Sequence, residues 1–245
     1  MLPSPFLARG LKPLLVLFAL SLAPALPVGA ADCVILLHGL ARTSASMEPL
    51  AGELEAHGYA VANIDYPSRK HSVQELSSLA VESGLAACPL RSTIHFVTHS
   101  LGGILIRYYL EQRCIPNLGR VVMLAPPNQG SEVVDAYRNI PGFEILNGPA
   151  GFQLGTDAGS IPVQLGPVDY EVGVIAGTGT INPILSQSLA NPDDGKVSVE
   201  NTKVAGMQDF VMVPRSHSFI MQAPEVIAHV LSFLATGYFG HAEQP

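Results

Sequence analysis

Short unbroken apolar runs alternate along this chain with stretches in which apolar positions recur every three or four residues. The first run after residue 30, Cys33-Val34-Ile35-Leu36-Leu37, ends in His38-Gly39-Leu40 and suits a strand buried on both faces of a parallel sheet. Met47, Leu50, Ala51 and Leu54 then follow helical spacing. Pro49 near the start and Gly58 past the end predict a helix reaching about His57. Tyr59 to Asp65 reads as a second strand. Ser72-Val73-Gln74-Glu75 has the form of a capping box, opening a helix whose apolar stripe is Val73, Leu76 and Ala80 and which closes before Pro89. Thr93 to Thr98 is a third strand. Leu101, Ile104, Leu105 and Tyr108 start a helix directly after Ser100. Arg120 to Leu124, Glu171 to Ala176 and Asp209 to Val213 repeat the strand pattern. Val226, Ile227, Val230 and Phe233 form a last helix that Gly237 ends.

This alternation predicts an α/β fold, a mostly parallel sheet with helices on both faces, spanning residues 31–240. The Gly/Pro-rich segment 126–167 is too long for an ordinary connection and too weakly periodic for a sheet element. It is expected to form a small lid or cap insertion. Residues 1–30 differ in kind: Arg9 and Lys12 precede Leu14 to Leu20, and Val28-Gly29-Ala30-Ala31 follows. That is the order of a signal peptide cleaved after Ala30, and Pro24 and Pro27 shorten the apolar run below a membrane-spanning length. An exported protein, periplasmic or secreted, is therefore expected.

Composition narrows the partners. Hydrophobic residues make up 48% of 245, ample for a buried core, and the net charge is −7. Without Arg9 and Lys12, 11 basic residues face 20 acidic ones, a net charge of −9 that argues against nucleic acid. Three cysteines, at 33, 88 and 114, lack metal-type spacing and allow one disulfide and one free thiol. Cys33–Cys88 is the favoured pairing over Cys88–Cys114, because Cys33 opens one strand and Cys88 lies just before another.

The candidate chemistry centres on Thr98-His99-Ser100-Leu101-Gly102-Gly103, a serine between a strand and a helix. A serine hydroxyl is a weak nucleophile and needs a sharp turn, an adjacent base and oxyanion donors. Gly102 and Gly103 keep that turn clear of side chains. The backbone N–H groups of Leu101 and of Leu40, after the flexible Gly39, are the expected oxyanion donors. His217, in Pro214-Arg215-Ser216-His217 after a late strand, is the expected base. His38 is read as a structural histidine holding its loop, and His99 as local structure pointing away from the serine. The acid is expected from Asp193-Asp194-Gly195, with Asp194 preferred and Asp193 the alternative. No spacing calls for a metal or other cofactor.

His38-Gly39-Leu40, Thr98 to Gly103, Pro126-Pro127-Asn128-Gln129-Gly130-Ser131, Asp194-Gly195 and His217 together resemble the α/β-hydrolase superfamily, in its bacterial serine esterase and lipase branch. The resemblance covers residues 33–235. Similar lipases carry a Pro-His-x-Gly-Ser/Thr stretch after the strand that follows the nucleophile, and here Asn128 and Gln129 stand in that neighbourhood. The resemblance implies the α/β-hydrolase fold and hydrolysis of a small-molecule or lipid carboxylic ester through an acyl-enzyme on Ser100. The same residues would serve an acyltransferase or a lipid or glycolipid deacylase, and a non-catalytic exported binding protein on this scaffold is a third reading. Val133, Val134, Phe143, Ile145, Leu146 and Phe152 of the lid are expected to line an acyl site, and such a lid brings a membrane surface within reach. Nothing in the sequence fixes the oligomeric state.

Overall fold

The computed structural model describes Met1 and residues 31–240, so the signal peptide expected before Ala31 lies outside the described residues. The apolar runs become six strands: β1 (Cys33–Leu37), β2 (Ala60–Ile64), β3 (Ile94–His99), β4 (Leu118–Leu124), β5 (Val172–Gly177) and β6 (Asp209–Val213). They pair in the order β2-β1-β3-β4-β5-β6, every neighbour parallel. Parallel neighbours need crossovers. The first strands are joined by α1 (Glu48–Ala56), α2 (Val73–Ala87) and α3 (Leu101–Gln112). Three short helices, α4 (Glu132–Tyr137), α5 (Phe143–Phe152) and α6 (Ile161–Gln164), fill the long connection between β4 and β5. Two further short helices, α7 (Pro183–Ser186) and α8 (Val199–Thr202), lie before β6, and α9 (Pro224–Thr236) closes the order.

Side chains alternate across each strand, and both faces are covered. Ile35, Leu37, Phe96 and Met123 pack in one apolar cluster with Leu76 of α2 and Leu105 of α3. Val34, Leu36, Val97 and Leu124 pack in the other with Leu50 of α1 and Phe233 of α9. This two-sided burial is why β1 is continuously apolar rather than alternating, and why β3 is buried at every position although it carries His95, Thr98 and His99.

The caps are those the sequence predicts. The Ser72 side chain accepts from the Glu75 N–H while the Glu75 carboxylate accepts from the Ser72 N–H, and Gly237 stops α9 at φ 83°. Cys33 and Cys88 are disulfide-bonded, tying the start of β1 to the end of α2, and Cys114 is free and exposed. The long β4–β5 connection is better ordered than its composition suggests. Gly148, at φ 62° and followed by Pro149, breaks α5 into two segments, which hides its helical period in the sequence.

Candidate active site

The connections at the carboxyl ends of β1, β3, β4, β5 and β6 converge on one cavity of about 460 Å³, the usual location for a site in an open parallel sheet. Ser100 sits between β3 and α3 at φ 52° and ψ −118°, a backbone region that residues with a side chain rarely adopt. Its N–H still bonds to the Leu124 carbonyl at 2.9 Å, so the strand ladder runs up to the turn before the chain reverses into helix. The turn needs glycine behind it. A Cβ on Gly102 would stand 2.4 Å from the Leu37 carbonyl oxygen, and one on Gly39 would stand 2.7 Å from His99 Nδ1.

His217 lines the same cavity as Ser100. Its Nδ1 lies 2.8 Å from Asp194 Oδ2, and its N–H bonds to the Asp194 carbonyl at 3.0 Å. A carboxylate only accepts, so Nδ1 carries the proton and Nε2 is left with a free lone pair. The Asp194 side chain is fully buried, and its other oxygen accepts from the N–H groups of Lys196 (3.0 Å) and Val197 (2.9 Å). Asp193 faces elsewhere: it accepts from Ser186 Oγ at 2.6 Å and from the Gly195 N–H at 2.7 Å. Of the two adjacent carboxylates, Asp194 is the one joined to the imidazole.

The β1 loop is pinned by His38. Its Nδ1–H donates to the Gly39 carbonyl at 2.9 Å, its Nε2 accepts from the Tyr66 N–H at 3.3 Å, and its ring stacks on Tyr66 at 4.0 Å. The Tyr66 hydroxyl donates to the His38 carbonyl. Burial pushes the His38 pKa down, consistent with a neutral ring in this role. Leu40 follows this fixed turn and lines the cavity. Leu101 opens α3, so its N–H belongs to the first helical turn, where backbone donors lack intrahelical acceptors.

A sequence model of the alpha/beta hydrolase family matches residues 34–230. The chain belongs to this family. Among solved structures the hydrolase is similar to mature Bacillus licheniformis lipase BlEst2, at 18% identity and TM-score 0.60, over 89% of this chain and 96% of that one. It is also similar to Aspergillus fumigatus lipase B, at 15% identity and TM-score 0.62, over 86% of this chain and 54% of the other. Phospholipase PlaB from Legionella pneumophila matches at 20% identity and TM-score 0.61, over 78% of this chain and 56% of that one. At these identities the likeness shows the fold. No protein of curated function matches the hydrolase in sequence.

Two sequence expectations need correcting. Val133, Val134, Phe143 and Leu146 line the cavity, but Ile145 is 82% exposed and Phe152 packs edge-on against Phe143 instead of reaching it. The 3.6-residue period explains this for Ile145, because Phe143, Leu146 and Asn147 share one side of α5 and residue 145 does not. His99 also stays in the site. Its ring lines the cavity 4.8 Å from that of His217, and its Nε2–H donates to the His217 carbonyl at 2.9 Å. Burial, then the neighbouring charge of His217, drives the His99 pKa well down, so it supports the His217 loop as a neutral ring.

Asn128 is fully buried and structural. Arg107 Nη1 donates to its carbonyl and Oδ1 at 2.9 and 3.2 Å, and its Nδ2 donates to the Thr202 carbonyl at 2.8 Å, joining α3 to α8. Arg42, Lys196, Tyr137 and Asn147 also line the cavity, and no sequence signal marked them. They stand on loops and short helices, where a polar residue looks like ordinary solvated surface.

Proposed function

We propose that this hydrolase cleaves carboxylic esters through an acyl-enzyme on Ser100. One observation carries the reading: the strained turn of Ser100 and the buried His217–Asp194 pair open onto a single cavity. In this account Ser100 Oγ attacks the ester carbonyl and its proton passes to His217 Nε2. Asp194 holds the Nδ1 proton and stabilises the imidazolium. The N–H groups of Leu40 and Leu101 receive the oxyanion, each such donor being worth about 3–4 kcal/mol at the transition state. His217 then protonates the departing alkoxide, and water, activated by the same nitrogen, releases the acid and restores Ser100.

The cavity walls from α4 and α5 are mainly apolar and suit an acyl chain. That supports reading this segment as the lid. Ile140, Ile145 and Leu146 are exposed there, and Ile181 and Ile184 are exposed in and before α7, which lends Leu185 to the cavity. These apolar groups support contact between the lid and a lipid surface. The Cys33–Cys88 disulfide supports export to an oxidising compartment. The test is turnover of p-nitrophenyl butyrate by the wild type and by Ser100→Ala. The wild type is expected to hydrolyse it and the variant to lose at least about a thousandfold while keeping its circular dichroism spectrum. Retained turnover in the variant would overturn the reading.

A further inference from the structure

The cavity carries a charge that ester hydrolysis itself does not use. Arg42, just beyond the Leu40 turn, and Lys196, in the loop after Asp194, both line it, while no aspartate or glutamate does. Neither cation has a carboxylate within 4 Å among the described residues, and unlike Arg69, Lys70, Arg91 and Arg107, which also have none, both line this cavity. The neighbouring carboxylates have other partners: Asp194 is bonded to His217, and Glu132, which opens α4, accepts from Ser198 Oγ at 2.9 Å. Arg42 is also held in place, donating from Nη2 to the Ser218 carbonyl at 3.2 Å, one residue beyond His217.

Two cations that share a wall repel each other. Partial desolvation holds the Lys196 pKa below its ordinary range; the Asp194 carboxylate opposes this, and Arg42 adds to it by a lesser amount. The Arg42 charge reaches His99 as well. A pair of cations without a direct ion-pair partner, on the wall of a cavity in a chain of net charge −7, suits an anion that arrives with the substrate. A guanidinium and an ammonium together fit a phosphate or carboxylate oxygen set.

We infer that the substrate is an ester bearing an anionic group, a phosphate or carboxylate, close to the scissile carbonyl, and that Arg42 and Lys196 form its binding subsite. The inference rests on the ester hydrolase reading above and adds the substrate class. The anion makes and breaks no bond. It fixes the ester over Ser100 while the apolar walls from α4 and α5 take the chain. The charge sits either in the acid or in the alcohol, and two matched substrate pairs separate these sources.

The test compares kcat/KM for p-nitrophenyl butyrate with p-nitrophenyl hemisuccinate, which places the charge in the acyl part. A second pair, monodecanoylglycerol and monodecanoylglycerol phosphate below their micellar concentrations, places it in the alcohol. In the wild type the anionic member of at least one pair is expected to lead by about tenfold or more, equal to about 1.4 kcal/mol. Arg42→Gln and Lys196→Met are each expected to reduce that ratio at least threefold. A ratio is independent of how much of a variant folds. Neutral members preferred in both pairs, or ratios unmoved by both substitutions, would overturn the inference while leaving the hydrolase reading standing. No turnover of any member, neutral ones included, would instead sink the reading beneath it.

Discussion

Asparagine at position 194 alters the proposed chemistry with the smallest change of shape. The Asp194 carboxylate accepts three hydrogen bonds, two from the Lys196 and Val197 N–H groups and one from His217 Nδ1. An asparagine can keep the first two through its carbonyl oxygen, so the loop should hold. Its amide nitrogen then faces Nδ1 and can only donate. The imidazole must place its proton on Nε2, where it can no longer receive the serine proton. Loss of the correct tautomer costs about 10⁴ in rate in serine triads, equal to about 5.4 kcal/mol of transition-state stabilisation. Asp193→Asn is the control, since its bonds go to Ser186 and Gly195. It should cost about 1 kcal/mol of stability and leave kcat/KM within about threefold. The assay is kcat/KM on p-nitrophenyl butyrate, with circular dichroism to monitor the fold. Activity of Asp194→Asn within tenfold of wild type, or a thousandfold loss in Asp193→Asn, would refute the assignment of the acid.

Gly102→Ala should be damaging although alanine ordinarily favours a helix by about 1 kcal/mol over glycine, because its Cβ would meet the Leu37 carbonyl oxygen at 2.4 Å. A loss of at least a hundredfold in kcat/KM is expected, and near-wild-type activity would show that the turn does not need this close approach. Stability should also fall with acid. Burial lowers the pKa values of His38, His95 and His99 from the ordinary histidine value of about 6.5, so below that pH the unfolded chain binds more protons than the folded one. Each group then withdraws up to about 1.4 kcal/mol per pH unit until its folded pKa is reached. The melting temperature is expected to drop between pH 7 and pH 5, and a flat profile would contradict the burial of these rings as neutral groups.

What was legible in the sequence follows from how each feature is encoded. β1 is buried on both faces and is a contiguous apolar word of five residues, while β3, equally buried, is legible through Ile94, Phe96 and Val97. The Ser72 capping box and the Gly237 stop are local chemistry and are equally readable. Ser100 was visible because strand, turn glycines and helix are contiguous around it. The helices between β4 and β5 were not, since α4 and α6 hold six and four residues and Gly148-Pro149 divides α5. Too few turns remain to set a period.

The choice between Asp193 and Asp194 depends on which way the loop presents each side chain, and composition alone gave only a preference. Arg42 and Lys196 were illegible for another reason. Each is a lone charge on a loop, and only the folding of β1 and β5–β6 loops around one cavity makes them a pair. His99 shows the converse: adjacency to Ser100 in sequence drew attention to it, but its partner is the His217 carbonyl, far along the chain.

The central claim, that Ser100 is an activated nucleophile served by His217, is tested most directly by reaction of the intact chain with a labelled fluorophosphonate followed by peptide mapping. The account predicts a single adduct on Ser100, abolished in Ser100→Ala and slowed by orders of magnitude in His217→Ala. An unlabelled wild type, or an adduct on another residue that persists in Ser100→Ala, would contradict it.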